Sequence, residues 1–566
     1  MAPFVFAVAA LLAAMLFARR MPASRLQRFD LTAALEGRVA PQVIGVVTFL
    51  LCWYVWGHLQ PTPIIHDEAS YLLQAKIFAR GAFAMPARPF PEFFEQFHTY
   101  VTPATASKYP PGHPLVLAPG ALVGWPALVP LLLDGLSGAL IFLLARRIAN
   151  PWVALLTWLI WITPRQTFHH IASYFSQSSS LALCLLGWWA LLSWRDDGRR
   201  GWLVVLSTCI AWLAITRPVT ALAYALPVAV VVIALVVRRR AWPALGVAMG
   251  AGILILGLLP WANMRTTGDW RTVPLTQYSQ IYFPFDAPGF GLDTTPPQRE
   301  LPADMVEFTR HFRPIHVGYG PPMLLEALGK RFVSSVMDLW IGPRIVLALA
   351  ALAAVSLLGV EAAFALATMA TVFVFYLSFA HGHDWTIYYA ETAPIVAFLS
   401  ALGVWRILAG LRRIRAGGGL ASAQPAAAVA TSLLVVIFLP GMVADWRLWR
   451  AVSIADQRYQ RAFFETVRSL PEPRTMVFVR YAPTHSVHRS LIANEPDLAD
   501  ARAWIVYDRG ADNDRLRRLA PDRTAYLFDE ARLALLRYPP ITAGRDPVAV
   551  QPSIGSASAY RARYAR

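Results

Sequence analysis

The feature that most constrains this chain is a series of long apolar blocks that contain no charged residue. Val43–Trp56, Leu181–Trp194 and Val219–Val237 are examples. Blocks of roughly 17–25 apolar residues match the hydrocarbon thickness of a bilayer, whereas helices of soluble proteins keep a polar face. Hydrophobic residues make up 56% of the 566 positions and charged residues 15%. The sequence therefore predicts a mainly α-helical protein that crosses a membrane many times.

Arginine clusters stand at one end of many of these blocks, as at Arg146–Arg147, Arg238–Arg240 and Arg412–Arg415. Basic residues of membrane proteins concentrate in cytoplasmic turns. The clusters all face the cytoplasm if about twelve helices span the membrane near 2–18, 42–59, 126–145, 152–171, 175–194, 201–216, 219–237, 242–261, 344–360, 362–380, 386–406 and 427–445. The formal net charge of +17 is therefore explained by the arginines that orient the chain in the membrane. For this reason nucleic acid is not an expected partner.

This arrangement leaves three long segments on the outer side, residues 60–125, 262–343 and 446–566. The first has short apolar runs such as Pro114–Val123, which predict helices that lie at the membrane surface. The last has strand-like runs separated by polar stretches, which predict a small α/β domain; the runs are Thr475–Tyr481, Ala503–Tyr507 and Thr524–Phe528. We therefore predict a transmembrane bundle over residues 1–445 and a soluble outer domain over residues 446–566.

Two polar clusters in the first outer segment have the residue types of a reaction site. One begins at His66 and continues with Asp67 and Glu68; the other contains Lys108 and Tyr109 before paired prolines. A carboxylate at the membrane surface could act as a general base, or it could only complement the dipole of a helix N-terminus. The lysine could bind a lipid phosphate, or its ammonium could extend to the interface.

In this order, the two clusters resemble the first outer loop of the C-class membrane glycosyltransferases, which include protein O-mannosyltransferases and the aminoarabinose transferase of lipid A. The resemblance covers roughly residues 40–240, with weaker support to about 405. It implies transfer of a sugar from a polyprenyl-phosphate donor to a glycan, lipid or protein acceptor. It also implies a bacterial inner membrane, with the catalytic face and the soluble domain in the periplasm.

Individual roles carry over from the resemblance by position. Asp67 becomes the catalytic residue that deprotonates the acceptor hydroxyl or orients it for attack, with its neighbour Glu68 as the alternative catalytic residue, and Lys108 and Arg217 become ligands of the lipid phosphate. One departure is that the outer end of the fourth span has no carboxylate, which leaves a two-carboxylate mechanism unsupported. Further residues are assigned to substrate binding: His66, Tyr71, Tyr109, His169, His170, Tyr174, His383, Trp385 and Tyr388.

No cofactor is expected to be required. His381, His383 and Asp384 have a spacing that could ligate a metal, but they lack a convincing set of partners. The three cysteines, Cys52, Cys184 and Cys209, all fall in apolar blocks and predict neither a disulfide framework nor a zinc site.

Two other classes of function are compatible with a polytopic chain. Transporters and lipid flippases usually place charged residues and broken helices at mid-membrane, whereas the polar clusters here gather at one face. A scaffold for envelope assembly would use the bundle only as an anchor, and twelve spans exceed that need. The sequence favours an enzyme at the outer face.

Overall fold

The computed structural model describes residues 31–340, 359–416, 420–539 and 548–551, together with Ala9, Ala10, Ala13, Ala14 and Leu16. Within these residues, six helices are long and apolar enough to cross a membrane: Leu128–Ile148, Pro218–Arg239, Trp242–Thr267, Val360–Ser378, Thr386–Leu408 and Ala427–Arg468. Shorter apolar helices cover Ala40–Trp56, Pro151–Trp161 and Arg200–Ala214. A mainly helical, multi-pass membrane protein is therefore confirmed. The number of twelve spans stays a prediction, because those near 2–18 and 344–360 lie largely outside the described residues.

The span predicted near 152–171 is wrong as a continuous helix. It is divided into Pro151–Trp161 and Arg165–Ile171, because Pro164 has no amide hydrogen with which to continue the helical ladder. The first piece has a defined start, since the Asn150 side chain accepts hydrogen bonds from the first free backbone N–H groups at 3.0 Å.

The chain divides into two compact units, each made of segments that are distant in sequence. We call Met1–Leu59, Leu128–Leu256 and Gly320–Ser453 the helix unit, and Gln60–Ala127, Gly257–Tyr319 and Ile454–Arg566 the loop-and-tail unit. The α-helices of the helix unit are Thr32–Glu36, Ala40–Trp56, Leu128–Ile148, Pro151–Trp161, Arg165–Ile171, Gln177–Asp197, Arg200–Ala214, Pro218–Arg239, Trp242–Leu256, Leu324–Ser334, Val360–Phe375, Ala393–Ala416 and the first part of Leu420–Arg468. 3₁₀ turns cover Pro321–Met323, Tyr376–Ser378 and Thr386–Thr392, and a π-helical turn covers Ser335–Trp340.

Small residues let two helices of the helix unit, Ala40–Trp56 and Leu128–Ile148, approach each other closely. A β-carbon added to Gly138 would lie 2.2 Å from Thr48 Oγ1, and one added to Gly135 would lie 2.9 Å from a backbone carbonyl oxygen of the facing helix. Close backbone approach of this kind is a principal source of helix association in lipid, where both partners are as apolar as their surroundings.

The loop-and-tail unit mixes short helices with two sheets. Its α-helices are His66–Ala79, Gly112–Leu122, Leu258–Thr267, Pro274–Tyr282, Ala303–His316, the end of Leu420–Arg468 and Asn513–Leu519, with 3₁₀ turns at Pro91–Phe93, Pro284–Asp286 and Gly510–Asp512. In the smaller sheet, the strand Ala104–Ser107 pairs antiparallel with Met85–Pro86 on one side and Thr99–Tyr100 on the other.

The tail forms a five-stranded sheet in the order Ala503–Tyr507, Thr475–Arg480, Thr524–Asp529, Ala534–Arg537, Val548–Gln551. The first three strands run parallel and the last two are antiparallel to their neighbours. The predicted small α/β region at the C-terminus is confirmed, and its three strand-like runs coincide with the three parallel strands.

Both faces of this sheet are buried, which accounts for near-continuous apolar strands. One face, including Val477 and Ile505, packs against Phe463 of the long helix. The alternate residues, including Phe478, pack against Phe94 of the first outer segment. The tail strands and the first outer segment therefore share one hydrophobic core within the loop-and-tail unit.

Candidate functional site

The helix His66–Ala79 carries an acidic pair in its first turn. Glu68 is buried, and its carboxylate accepts hydrogen bonds from the backbone N–H groups of Ile64 (2.8 Å) and Ile65 (3.1 Å). It thus stabilises the start of the helix, the structural role that the sequence left open for this pair. The Asp67 side chain, by contrast, is 31% exposed and remains accessible to a substrate.

Asp67 is oriented by two neighbours. The Tyr109 hydroxyl donates to Asp67 Oδ1, and His98 Nε2 lies 3.7 Å from Asp67 Oδ2. The Tyr109 ring is itself fixed, because it stacks on Tyr71 with 4.6 Å between ring centroids, and Tyr71 meets His113 edge-on at 4.9 Å. An oriented and partly accessible carboxylate is what a general base requires.

Two buried imidazoles belong to the same cluster. His66 stacks on Phe97 at 4.3 Å and lies nearly parallel to the ring of His488, from the tail, at 5.6 Å. Burial lowers the pKa of both His66 and His98 well below the ordinary value, and the positive charge of Lys108 adds to the shift. Both rings are therefore neutral at pH 7. The Nδ1 atom of each lacks a hydrogen-bond partner among the described residues.

Three of these residues could hold a metal ion. In the described part of the chain, ligand atoms of His66, Asp67 and His98 lie within 4.8 Å of one another. Two neutral imidazoles and a carboxylate suit a zinc-like cation with an open coordination position, although the ammonium of Lys108 would oppose any cation there. The sequence offered a spacing that could ligate a metal at the run that contains His381, without a convincing set of partners, and the expectation that no cofactor is required stays a prediction.

Lys108 is buried and does not extend to solvent. Its ammonium lies over the rings of Tyr109 and Tyr278, 5.2 and 5.1 Å from their centroids. Burial lowers its pKa, while the carboxylates of Asp286 and Asp67 oppose the shift. A cation in aromatic surroundings, weakly compensated by carboxylates, is a suitable ligand for a phosphate, whose charge would restore the pKa.

Arg217 lies in the helix unit, just before the helix Pro218–Arg239. Its guanidinium contacts the buried carboxylate of Glu391 at 3.4 Å and donates to the Tyr376 hydroxyl at 2.9 Å. The Ser180 hydroxyl donates to the same carboxylate. Sequence reasoning gave Glu391 no role, although an acidic residue beside a membrane span is a recognised signal of a partnered charge.

Three other predicted substrate residues, His169, His170 and Tyr174, also lie in the helix unit. The two histidine rings are 5.7 Å apart, and His170 is buried. Tyr174 is buried against Trp56, with 4.8 Å between ring centroids. All three residues follow the break in the predicted fourth span.

The segment that follows Val360–Phe375 is held by a buried arginine. Arg331 donates to backbone carbonyls at three positions between residues 376 and 381. Beyond them, His383 Nδ1 lies 2.9 Å from a serine hydroxyl, and the rings of Trp385 and Tyr388 are 6.4 Å apart. This arrangement gives the predicted aromatic cluster a fixed backbone.

The predicted site residues thus form two groups, one in each unit. Those in the loop-and-tail unit are His66, Asp67, Glu68, Tyr71, Lys108 and Tyr109, and those in the helix unit are His169, His170, Tyr174, Arg217, His383, Trp385 and Tyr388. Sequence reasoning missed Phe97, His98, Tyr278 and His488, which complete the first group. None of the four belongs to a sequence motif, and only tertiary folding brings them to Asp67.

Comparison with known proteins finds similarity at the level of structure. No family model and no curated protein matches the chain. ArnT from Cupriavidus metallidurans bound to undecaprenyl phosphate superposes with a TM-score of 0.47 and 14% identity, over 88% of this chain and 94% of ArnT. Its apo state gives 0.42 and 14%, over 87% and 93%. Arabinosyltransferase EmbB from Mycobacterium smegmatis gives 0.35 and 13%, over 83% of this chain and 44% of EmbB. Each of these superpositions is a distant resemblance in structure, at 13–14% sequence identity.

Proposed function

We propose that this protein is a membrane glycosyltransferase that moves a sugar from a polyprenyl-phosphate donor to an acceptor hydroxyl. The observation that supports it most directly is the carboxylate of Asp67. It is accessible, it is oriented by Tyr109 and His98, and a buried ammonium, that of Lys108, shares its surroundings. A base for the acceptor and a cation for the leaving phosphate are the two groups that this reaction requires.

The proposed reaction is a single displacement. The acceptor hydroxyl transfers its proton to the Asp67 carboxylate as its oxygen forms a bond to the anomeric carbon. The bond between that carbon and the phosphate oxygen breaks, and the electron pair leaves with the polyprenyl phosphate. Attack opposite to the leaving group inverts the anomeric carbon.

Lys108 stabilises the negative charge that develops on the departing phosphate. Its ammonium is buried beside aromatic rings, where a charge interaction is stronger than in water. For Arg217, the role of phosphate ligand stays a prediction, since its guanidinium already pairs with Glu391 in the helix unit.

The remaining assignments belong to the same proposal. The protein resides in a bacterial inner membrane, with Asp67 and the tail on the periplasmic side, where nucleotide sugars are absent and lipid-linked donors supply the glycosyl group.

The test is a single substitution with a matched control. Asp67→Asn keeps the size of the side chain and removes the base, while Asp293→Asn makes the same change at an exposed position of the loop-and-tail unit. Membranes that contain each variant are given polyprenyl-phosphate-linked hexoses and pentoses, and release of polyprenyl phosphate is measured. We expect loss of transfer in Asp67→Asn only; full activity in that variant would rule out Asp67 as the base.

A further inference from the structure

The loop-and-tail unit contains a cavity next to the proposed base. Its walls come from three parts of the sequence: residues 63–66, Ala69, Gln96 and Phe97 of the first outer segment, Gln460 and Phe464 of the long helix, and His488, Ser490, Ile492 and Ala493 of the tail. It contains about 470 Å³ of atom-free space, counted out to its opening. His66, which precedes Asp67 in the chain, is one of its walls.

Two deeply buried polar atoms of this cavity lack a hydrogen-bond partner within the described part of the chain. Gln460 is 3% exposed and His66 is 7% exposed, and neither Gln460 Oε1 nor His66 Nδ1 has a hydrogen-bond partner among the described residues. The amide of Gln460 is nonetheless fixed, because its Nε2 donates to the carbonyl oxygen of Ile64 at 3.1 Å. Buried polar atoms are nearly always paired, with protein, ligand or water, so these two offer hydrogen bonds to whatever occupies the cavity.

The remaining lining narrows the chemistry of that ligand. Besides these two groups, the walls include the amide of Gln96, the imidazole of His488 and the hydroxyl of Ser490, but no lysine, arginine, aspartate or glutamate side chain. A phosphate or carboxylate would be bound without a compensating cation, and a purely apolar ligand would leave the buried polar atoms unpaired. Phe97 and Phe464 provide flat apolar surfaces. An uncharged ring with several hydroxyl groups satisfies both kinds of surface.

We infer that this cavity binds an uncharged sugar ring of the acceptor, and that the C-terminal tail is thereby part of the substrate site. The assignment to the acceptor, rather than to another sugar, rests on the proposed function. The binding of a neutral sugar does not, because it follows from the lining alone. His488 and Ser490 of the tail contribute to the same cavity as His66, which gives the tail a role in substrate binding.

Filling the cavity provides the test. Ala493 lines it, whereas Ala499 is an exposed alanine of the same tail. Ala493→Phe and the control Ala499→Phe are made in the full chain and purified in a sugar-free zwitterionic detergent. Saturation-transfer NMR then measures binding of methyl glycosides of neutral hexoses and pentoses, with glucuronate and glucose 6-phosphate as charged probes.

We expect the neutral glycosides to bind the unmodified protein and Ala499→Phe alike, and to bind Ala493→Phe at least about 5-fold more weakly. If Ala493→Phe does not fold, Gln460→Met decides, since it keeps the volume and removes the amide oxygen. Unchanged binding in the deciding variant would overturn the inference. So would stronger binding of the charged probes, or no binding of neutral glycosides to the unmodified protein.

A failure of the proposed function can be distinguished from a failure of the sugar-binding inference. Binding is measured without a donor and does not use the Asp67 carboxylate, so Asp67→Asn should bind the glycosides normally while losing transfer. Full transfer by Asp67→Asn together with weakened glycoside binding by Ala493→Phe would refute the base and leave the sugar cavity standing.

Discussion

Replacing Lys108 by methionine should weaken the binding of undecaprenyl phosphate by about 10- to 150-fold. The change keeps the aliphatic stem and removes one charge-assisted interaction with the phosphate, which contributes roughly 1.5–3 kcal/mol. Because the ammonium is the form that binds phosphate, the affinity of the unmodified protein should also fall as pH rises through the lowered pKa of Lys108. In the methionine variant, this decline with pH should be absent.

The same substitution should not unfold the protein. Burial lowers the pKa of Lys108, so at neutral pH desolvation of its ammonium destabilises the folded state. The two cation–π contacts, with Tyr109 and Tyr278, offset about 0.5–2 kcal/mol each. Methionine removes both the cost and the contacts, so the free energy of unfolding should change by less than about 1–2 kcal/mol.

Binding is measured by native mass spectrometry or by quenching of tryptophan fluorescence, with undecaprenyl phosphate titrated into the full chain. Lys76→Met is the matched control, because Lys76 lies in the same segment, is partly exposed, and pairs with Glu495 at 2.7 Å. The control should bind like the unmodified protein. Equal affinities for Lys108→Met and Lys76→Met, in folded protein, would refute the role of Lys108 as phosphate ligand.

Three further predictions concern packing, pH and metal. Gly138→Val should lower the free energy of unfolding by about 1–3 kcal/mol, since its β-carbon would meet Thr48 at 2.2 Å. Gly246→Val is the control and should not lower it, because nothing lies within 4 Å of a β-carbon at that position. Equal melting temperatures for the two variants would contradict this prediction. Burial raises the pKa of Asp304 to about 6, so the folded state favours the protonated carboxyl. The stability that this provides is fully present below pH 4 and is lost as pH rises through 6, by at most about 3 kcal/mol. Asp304→Asn should therefore be more stable than the unmodified protein at pH 8 but not at pH 4, as hydrogen exchange of the tail strands would show; a constant difference would refute it. Sugar transfer should be retained after metal ions are removed with a chelator. A metal would be shown to be required if chelation abolished transfer, zinc restored it, and His98→Ala lost the binding of zinc.

The sequence predicted the long apolar helices because hydrocarbon thickness acts on local composition. It predicted the three parallel tail strands for a similar reason, since strands buried on both faces are apolar throughout. It did not predict the break before Arg165–Ile171, because hydropathy averages over Pro164 and gives no weight to a missing hydrogen-bond donor. Nor did it predict that the tail core includes Phe94 of the first outer segment.

The candidate site was only partly visible in the sequence. Asp67, Tyr109 and Lys108 belong to short clusters of unusual composition, and the structure brings them together. His98 and His488 are isolated residues in irregular segments, and no periodicity marks a side chain that is positioned by tertiary packing. The acidic pair shows the same limit, because adjacent carboxylates look alike in sequence, whereas their hydrogen bonds assign Glu68 to the helix start and leave Asp67 accessible.

The most direct test of the central claim is the rate of sugar transfer by Asp67→Asn, measured with a saturating polyprenyl-phosphate donor and compared with Asp293→Asn. General-base catalysis typically contributes about 10²- to 10⁴-fold. The rate should fall by that factor in Asp67→Asn, while affinity for undecaprenyl phosphate, held by Lys108, should stay within about 3-fold. A transfer rate in Asp67→Asn equal to that of Asp293→Asn would contradict the proposal.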